Sequence, residues 1–155
     1  MELLLGSKSP RRKELLLSLE CDFKVVHIDV EESFPDSLKA SDVATYLAVK
    51  KANAYKGLKP DQVLLTADTT VVVGNTILNK PQSREDAVAM LSALNNNTHA
   101  VITGFCLKSL EKQCKTAVTT NVTFGKLSSE QIDYYIETYQ PYDKAGAYGI
   151  QEWIG

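Results

Sequence analysis

The sequence predicts an α/β fold, a mixed twisted sheet flanked by helices, in a single domain over residues 1–155. Three observations predict it. Short apolar runs bounded by turn residues alternate with helix-periodic segments through the first half of the chain. Two long β-branched runs then follow one another across a polar stretch, the pattern of an antiparallel pair. Helix-start signals, a Ser with a carboxylate or carboxamide three residues on, precede two of the later helical segments. A chain of 155 residues with 44% hydrophobic and 23% charged side chains has ordinary globular composition and enough length for one core.

Leu3, Leu4 and Leu5 form a short apolar run that reads as a buried strand, and Gly6, Ser7 and Lys8 read as a turn. Ser9 suits an N-cap, Pro10 suits the first helical position, and Leu15, Leu16 and Leu19 supply an apolar stripe. Residues 23–29, "FKVVHID", alternate as a second strand, and "VEESFPDSL" is a loop carrying adjacent acids. Ser41 and Asp42 can cap a helix through "VATYLAVKKANAY", with Val43, Leu47 and Ala54 on one side. "QVLLTADTTVVVGNTIL" predicts a strand, an acidic kink, a second strand and a hairpin at Gly74-Asn75. After the loop "NKPQS", Ser83 and Asp86 start the helix "REDAVAMLSAL". "THAVITGFCL" and "TAVTTNVTF" predict a hairpin, Ser128 and Gln131 start "SEQIDYYIETY", and "QPYDKAGAYGIQEWIG" leaves regular pattern. There is no internal repeat, low-complexity tract or linker.

Composition narrows the function classes. A net charge of -2 argues against a general nucleic-acid-binding surface. No apolar stretch approaches the roughly 20 residues that span a bilayer, and the N-terminus does not read as a signal peptide. Cys21, Cys106 and Cys114 are odd in number and lack CxxC spacing, so a disulfide framework and a structural zinc site are not expected. A cytoplasmic protein with reduced thiols is the expectation.

The opening turn poses an electrostatic puzzle. Lys8, Arg11, Arg12 and Lys13 crowd a helix start whose dipole is already positive. A helix N-terminus is an anion site, and guanidinium–phosphate contacts are charge-assisted, so a bound polyphosphate would offset the repulsion. The turn has neither the spacing GxxxxGK[ST] nor GxGxxG. Asp68 is a carboxylate in an apolar strand, expected at or near the carboxyl end, where ligands of open α/β sheets bind. Glu31 and Glu32 lie in the loop after a strand. With Asp68 they could hold Mg²⁺, which takes one or two carboxylates plus phosphate oxygens and water. Lys51, Lys80 and Lys144 stand at element ends, as clamping several phosphates would require. In "DKAGAYGIQ", Gly146 and Gly149 suit tight turns or close approach of backbone to a ligand, and Gln151 can pair with a base edge. His27 and His99 read as structural, and no histidine-based acid–base centre is supported. The physics points to a phosphate-rich ligand, a hard divalent cation and an acidic catalytic centre.

The segments "SKSPRRKELL", "VEES", "KKANA", "TADTTV", "NKPQS", "HAVITG" and "DKAGAYGIQ" occur in the order seen in Maf proteins, and the chain resembles that family from residue 3 to its end. The resemblance implies a two-lobed fold similar to inosine triphosphate pyrophosphatases, with a cleft between the lobes, and often a homodimer. It implies metal-dependent hydrolysis, with Mg²⁺ or Mn²⁺, between the α- and β-phosphates of a nucleoside triphosphate, a house-cleaning activity. By position, Asp68 is similar to the family's proton acceptor. Glu31 matches a metal or phosphate-site partner, with Glu32 as the alternative. Ser7, Arg11, Arg12, Lys51 and Lys80 match phosphate-contacting positions, Lys144 less closely. Arg11, Thr69 and Gln151 resemble the branch acting on dTTP and UTP, not those acting on 7-methyl-GTP or purine analogues. The alternative is a nucleotide-binding regulator of septum formation without catalysis. Family members continue some tens of residues past the position of Gly155, so the resemblance also implies that the family's last strand and helix are lacking here.

Overall fold

A computed structural model describes residues 1–155. The elements are β1 (Glu2–Leu5), α1 (Pro10–Ser18), β2 (Phe23–Val25), α2 (Ala40–Ala54), β3 (Gln62–Val73), β4 (Thr76–Leu78), α3 (Arg84–Leu94), β5 (Thr98–Lys108), β6 (Gln113–Thr123) and α4 (Ser129–Tyr139). Two short 3₁₀ turns follow at Pro141–Asp143 and Ala145–Ala147. The strands make a mixed six-stranded sheet in the order β2-β1-β3-β5-β6, with β4 paired to β3. This is the α/β class the sequence predicts. No helix is long and apolar enough to cross a membrane.

The chain divides into two compact units. One comprises Met1–Asp68 and Thr103–Val118, the other Thr69–Ile102 and Thr119–Gly155. In the first, β1 pairs in parallel with both β2 and β3, matching Leu4 with Lys24 and with Leu64. Parallel strands need covered faces, so Leu4 and Leu64 are buried among Ala48 and Ala52 of α2 and Cys106 of β5. The fit of α2 on β5 is tight at Gly104. A Cβ there would meet backbone, lying 2.5 Å from the Ala44 carbonyl carbon and as close to Thr45 N.

In the second unit, Ala87, Leu91 and Leu94 of α3 and Ile132, Tyr135 and Ile136 of α4 form a core with Val71, Leu78, Phe124, Ala147 and Tyr148. Both helices start as the sequence predicts. Ser83 Oγ accepts from Asp86 N–H at 3.1 Å, and Ser128 exchanges bonds with Gln131 in a capping box. The hairpin turn falls at Gly74, whose φ is +59°. His99 is structural, as expected. It is buried, its Nε2 lies 2.7 Å from Tyr148 Oη, and burial lowers its pKa while raising that of Tyr148 to about 12.

Four local expectations are corrected. The second strand ends at Val25, because β1 stops at Leu5 and offers no partner beyond; His27 therefore lies outside it and is exposed. α2 starts one residue before Ser41, with Lys39 at the cap and no side-chain cap bond, while Ser41 Oγ turns to the Asp42 carboxylate. The stripe on α1 is not a core face. Leu15 and Leu19 are largely exposed, and no residue of α1 is buried. No kink interrupts β3, which runs through Asp68 to Val73.

Gly104→Ala is expected to destabilise the protein by at least about 1–3 kcal/mol, since backbone on both sides cannot yield. Urea unfolding should show a lower midpoint at an unchanged slope.

Candidate active site

All the pieces of the site described first belong to one unit. β1 ends at Leu5, and the chain turns at Gly6, where a Cβ would lie 2.5 Å from Ile28 Cδ1 and 2.9 Å from Thr66 Cγ2. That tight turn feeds directly into α1, with Pro10 at its first position. Ser9 does not cap with its side chain; its N–H instead donates to Ser7 Oγ at 3.2 Å. Ser7 Oγ also accepts from Arg12 Nη1 at 3.2 Å, and the same Nη1 donates to the Ala67 carbonyl at 3.0 Å. Arg12 is thus no solvated surface charge. It ties the first turn of α1 to the backbone of β3 one residue before Asp68. Burial pulls its pKa down, and the charges of Asp68 and Glu32 pull it back up.

Asp68 is 8% exposed. The parallel ladder of β1 and β3 ends at Leu65, so Asp68 stands just past the carboxyl edge of the parallel part although it is mid-strand in β3. Lys51, in the last turn of α2, reaches it with Nζ 2.5 Å from Oδ1. The same ammonium lies 2.7 Å from Glu32 Oε1. Desolvation raises the Asp68 pKa, opposed by Lys51 and Arg12 and reinforced by the charge of Glu32. A raised carboxylate is a stronger base than a solvated one, which suits it to accept a proton.

Both adjacent acids are exposed in the loop, and Glu32 is the one that reaches this cluster, through Lys51. The cation position between Asp68 and Glu32 is held by a lysine ammonium. Two hard carboxylates around a cation-favouring position suit Mg²⁺ or Mn²⁺, which completes its shell with phosphate oxygens and water. No cluster of three His, Cys, Asp or Glu side chains gathers anywhere, so a closed all-protein cage is not what the donor set offers. Arg11 is half-buried beside Arg12 at the start of α1.

The other expected site residues are carried by the second unit. Thr69 follows Asp68 on β3 and is half-buried. Lys80 is exposed between β4 and α3, and Gln151 is exposed in the C-terminal turn. Lys144 is 9% exposed, with Nζ 2.8 Å from Asp143 Oδ1 and 3.2 Å from Glu152 Oε1. Glu152 also accepts the Tyr135 hydroxyl, and Tyr135 Oη accepts the Gly149 N–H at 3.1 Å. Burial, then the Glu152 bond, raises the Tyr135 pKa well above its usual range. Lys144 thus links the start of the "DKAGAYGIQ" segment to the turn that follows it. Gly146 lets this segment approach closely, with φ +70° and a Cβ position 2.9 Å from Val71 Cγ1.

Sequence reasoning missed Glu152, whose only signal was a charge three residues after Gly149. It also missed Lys50, whose Nζ donates to Ser33 O at 2.8 Å and to Ser33 Oγ at 2.9 Å. Adjacency to Lys51 was the available hint.

A family model described as "Maf-like protein" matches residues 2–155. A protein named dTTP/UTP pyrophosphatase from Phocaeicola vulgatus is 47% identical over 99% of this chain and 81% of its own length. One of the same name from Porphyromonas gingivalis is 50% identical over 99% of this chain and 79% of its own. A solved structure of a HAM1 protein from Coxiella burnetii superposes with a TM-score of 0.51 at 17% identity, covering 82% of this chain and 74% of that one, which shows a shared fold. The chain belongs to the Maf-like protein family.

Proposed function

We propose that this protein is a nucleoside triphosphate pyrophosphatase that hydrolyses dTTP and UTP to the monophosphate and pyrophosphate by metal-assisted attack of water. The names of relatives at 47% and 50% identity support the reaction class and the pyrimidine substrates. The observation that carries the mechanism is the buried Asp68, held at 2.5 Å by Lys51 and flanked through that lysine by Glu32.

The chain's own residues divide the work. The N-terminus of α1, Ser7, Arg11 and Arg12 make an anion-binding corner that suits the triphosphate. Lys51 contributes positive charge at the same corner, and Lys80 is a further candidate phosphate contact. Asp68 accepts a proton from the attacking water, whose oxygen forms the new bond to phosphorus as the pyrophosphate oxygen leaves. A divalent cation held by Asp68 and Glu32 would supply charge neutralisation on the phosphate oxygens. Thr69 and Gln151 are the candidates for hydrogen bonds to the uracil or thymine edge. Sites built that way reject a base lacking the right donors more strongly than one that differs in size.

Three outcomes test this. Over a panel of dTTP, UTP, CTP, dITP and 7-methyl-GTP with Mg²⁺ or Mn²⁺, pyrophosphate should appear mainly from dTTP and UTP. Orthophosphate would mean that another bond is cut. No product, with dTTP still raising the melting temperature, would favour a non-catalytic nucleotide-binding regulator. Asp68→Asn should lower kcat by about 10²–10⁴-fold, as loss of a general base requires, when assayed at a temperature where circular dichroism shows the variant still folded.

The pH profile gives signs as well as a size. Activity should fall as pH drops through the raised Asp68 pKa, so the acid limb of kcat/KM lies above the usual carboxylate range. Lys51 stabilises the charged form, so Lys51→Met should move that limb to higher pH. Glu32 opposes it, so Glu32→Gln should move it lower. Limbs that stay fixed in both variants would remove Asp68 as the titrating base.

A further inference from the structure

Lys50 and Lys51 are neighbours on α2 with different partners. Lys51 Nζ contacts Asp68 and Glu32, while Lys50 Nζ donates to the Ser33 carbonyl at 2.8 Å and the Ser33 hydroxyl at 2.9 Å. Successive residues of an α-helix point about 100° apart, so the two side chains fork. Their tips hold two consecutive loop residues, Glu32 and Ser33.

That loop needs holding. Residues 26–39 lie outside any helix or strand, a long connection for a compact unit. The Glu32 side chain is 51% exposed, and an ion pair that exposed fixes orientation weakly. A ligating carboxylate has to sit within about 0.5 Å of its place. The Leu38 N–H bond to Pro35 O, at 3.0 Å, steadies the far side of the loop. A carbonyl and a hydroxyl gripped by one ammonium fix both backbone and side chain at Ser33, one residue from the carboxylate.

We propose that Lys50 is a positioning residue, whose two bonds to Ser33 hold Glu32 where it can help bind the divalent cation. This rests on the reading of Glu32 given above. Lys50 acts through Ser33 on the neighbouring carboxylate, so its loss should weaken cation binding and spare the chemical step.

The test compares the parent with Lys50→Met, Lys50→Arg, Ser33→Ala and Glu32→Gln by two readouts. One is hydrogen exchange at amides 31–34; the other is the Mg²⁺ concentration giving half-maximal dTTP hydrolysis. In Lys50→Met, exchange at 31–34 should quicken while α2 keeps its protection. The Mg²⁺ requirement should rise about tenfold, the lower end for loss of an outer-shell partner, with kcat at saturating Mg²⁺ nearly unchanged. Lys50→Arg, which keeps the donors, should restore both. Unchanged exchange, or faster exchange with the parent's Mg²⁺ requirement, overturns the proposal. If Lys50→Met loses α2 protection as well, Ser33→Ala decides by the same criteria, since it deletes only the hydroxyl acceptor. A Glu32→Gln enzyme with the parent's Mg²⁺ requirement overturns the reading of Glu32. A raised requirement there, with none in Lys50→Met, overturns the Lys50 tether alone.

Discussion

The charge on Asp68 is the constraint that organises the unit around it. An ionised carboxylate shut away from water costs several kcal/mol unless it is paired and hydrogen-bonded. Lys51 meets that need at 2.5 Å, and Lys51 in turn is 13% exposed, so each charge requires the other. The pairing ties the last turn of α2 to β3. Thr66, two residues before Asp68, reinforces this by donating to the Ala48 carbonyl at 2.7 Å. Helix and strand are therefore locked by polar contacts where a purely apolar interface could slide.

Arg12 resolves the oddity of a helix that opens with positive charge. Repulsion of a cation by a helix N-terminus amounts to a few tenths of a kcal/mol at an exposed site. Two hydrogen bonds from a half-buried guanidinium, to Ser7 Oγ and Ala67 O, outweigh that. One residue thus serves the fold before any ligand arrives, and the same bonds aim the opening turn at the strand carrying Asp68. Preorganisation of this kind is what phosphate chemistry asks of a protein, since positioning and fixed charge do most of the catalytic work.

Much of this was legible in the sequence, and the misses have physical causes. Local chemistry read well where the signal is local: Pro10 at a helix start, the Ser128–Gln131 box, and Gly74 at a hairpin. Asp68 stood out because a carboxylate in an apolar strand has so few uses. The length of the second strand could not be read, because it depends on where β1 stops pairing. The leucines of α1 follow helical spacing, yet spacing says nothing about what lies opposite them. That Glu32, and not Glu31, meets Lys51 depends on the loop's path, which the sequence does not show. Lys144 stood out as a lysine at an element end, but its ion pairs with Asp143 and Glu152 could not be read from the sequence.

The division of the chain has a temporal consequence. The first unit draws on residues up to Val118, and the boundaries at Asp68, Ile102 and Val118 all fall inside strands. No single cut of the gene would therefore release either unit as an exchangeable module. During synthesis, the first unit has to wait, incomplete, while about 34 residues of the second emerge between its two pieces. With pairings so distant in sequence, folding should be slow to nucleate and then cooperative across both units.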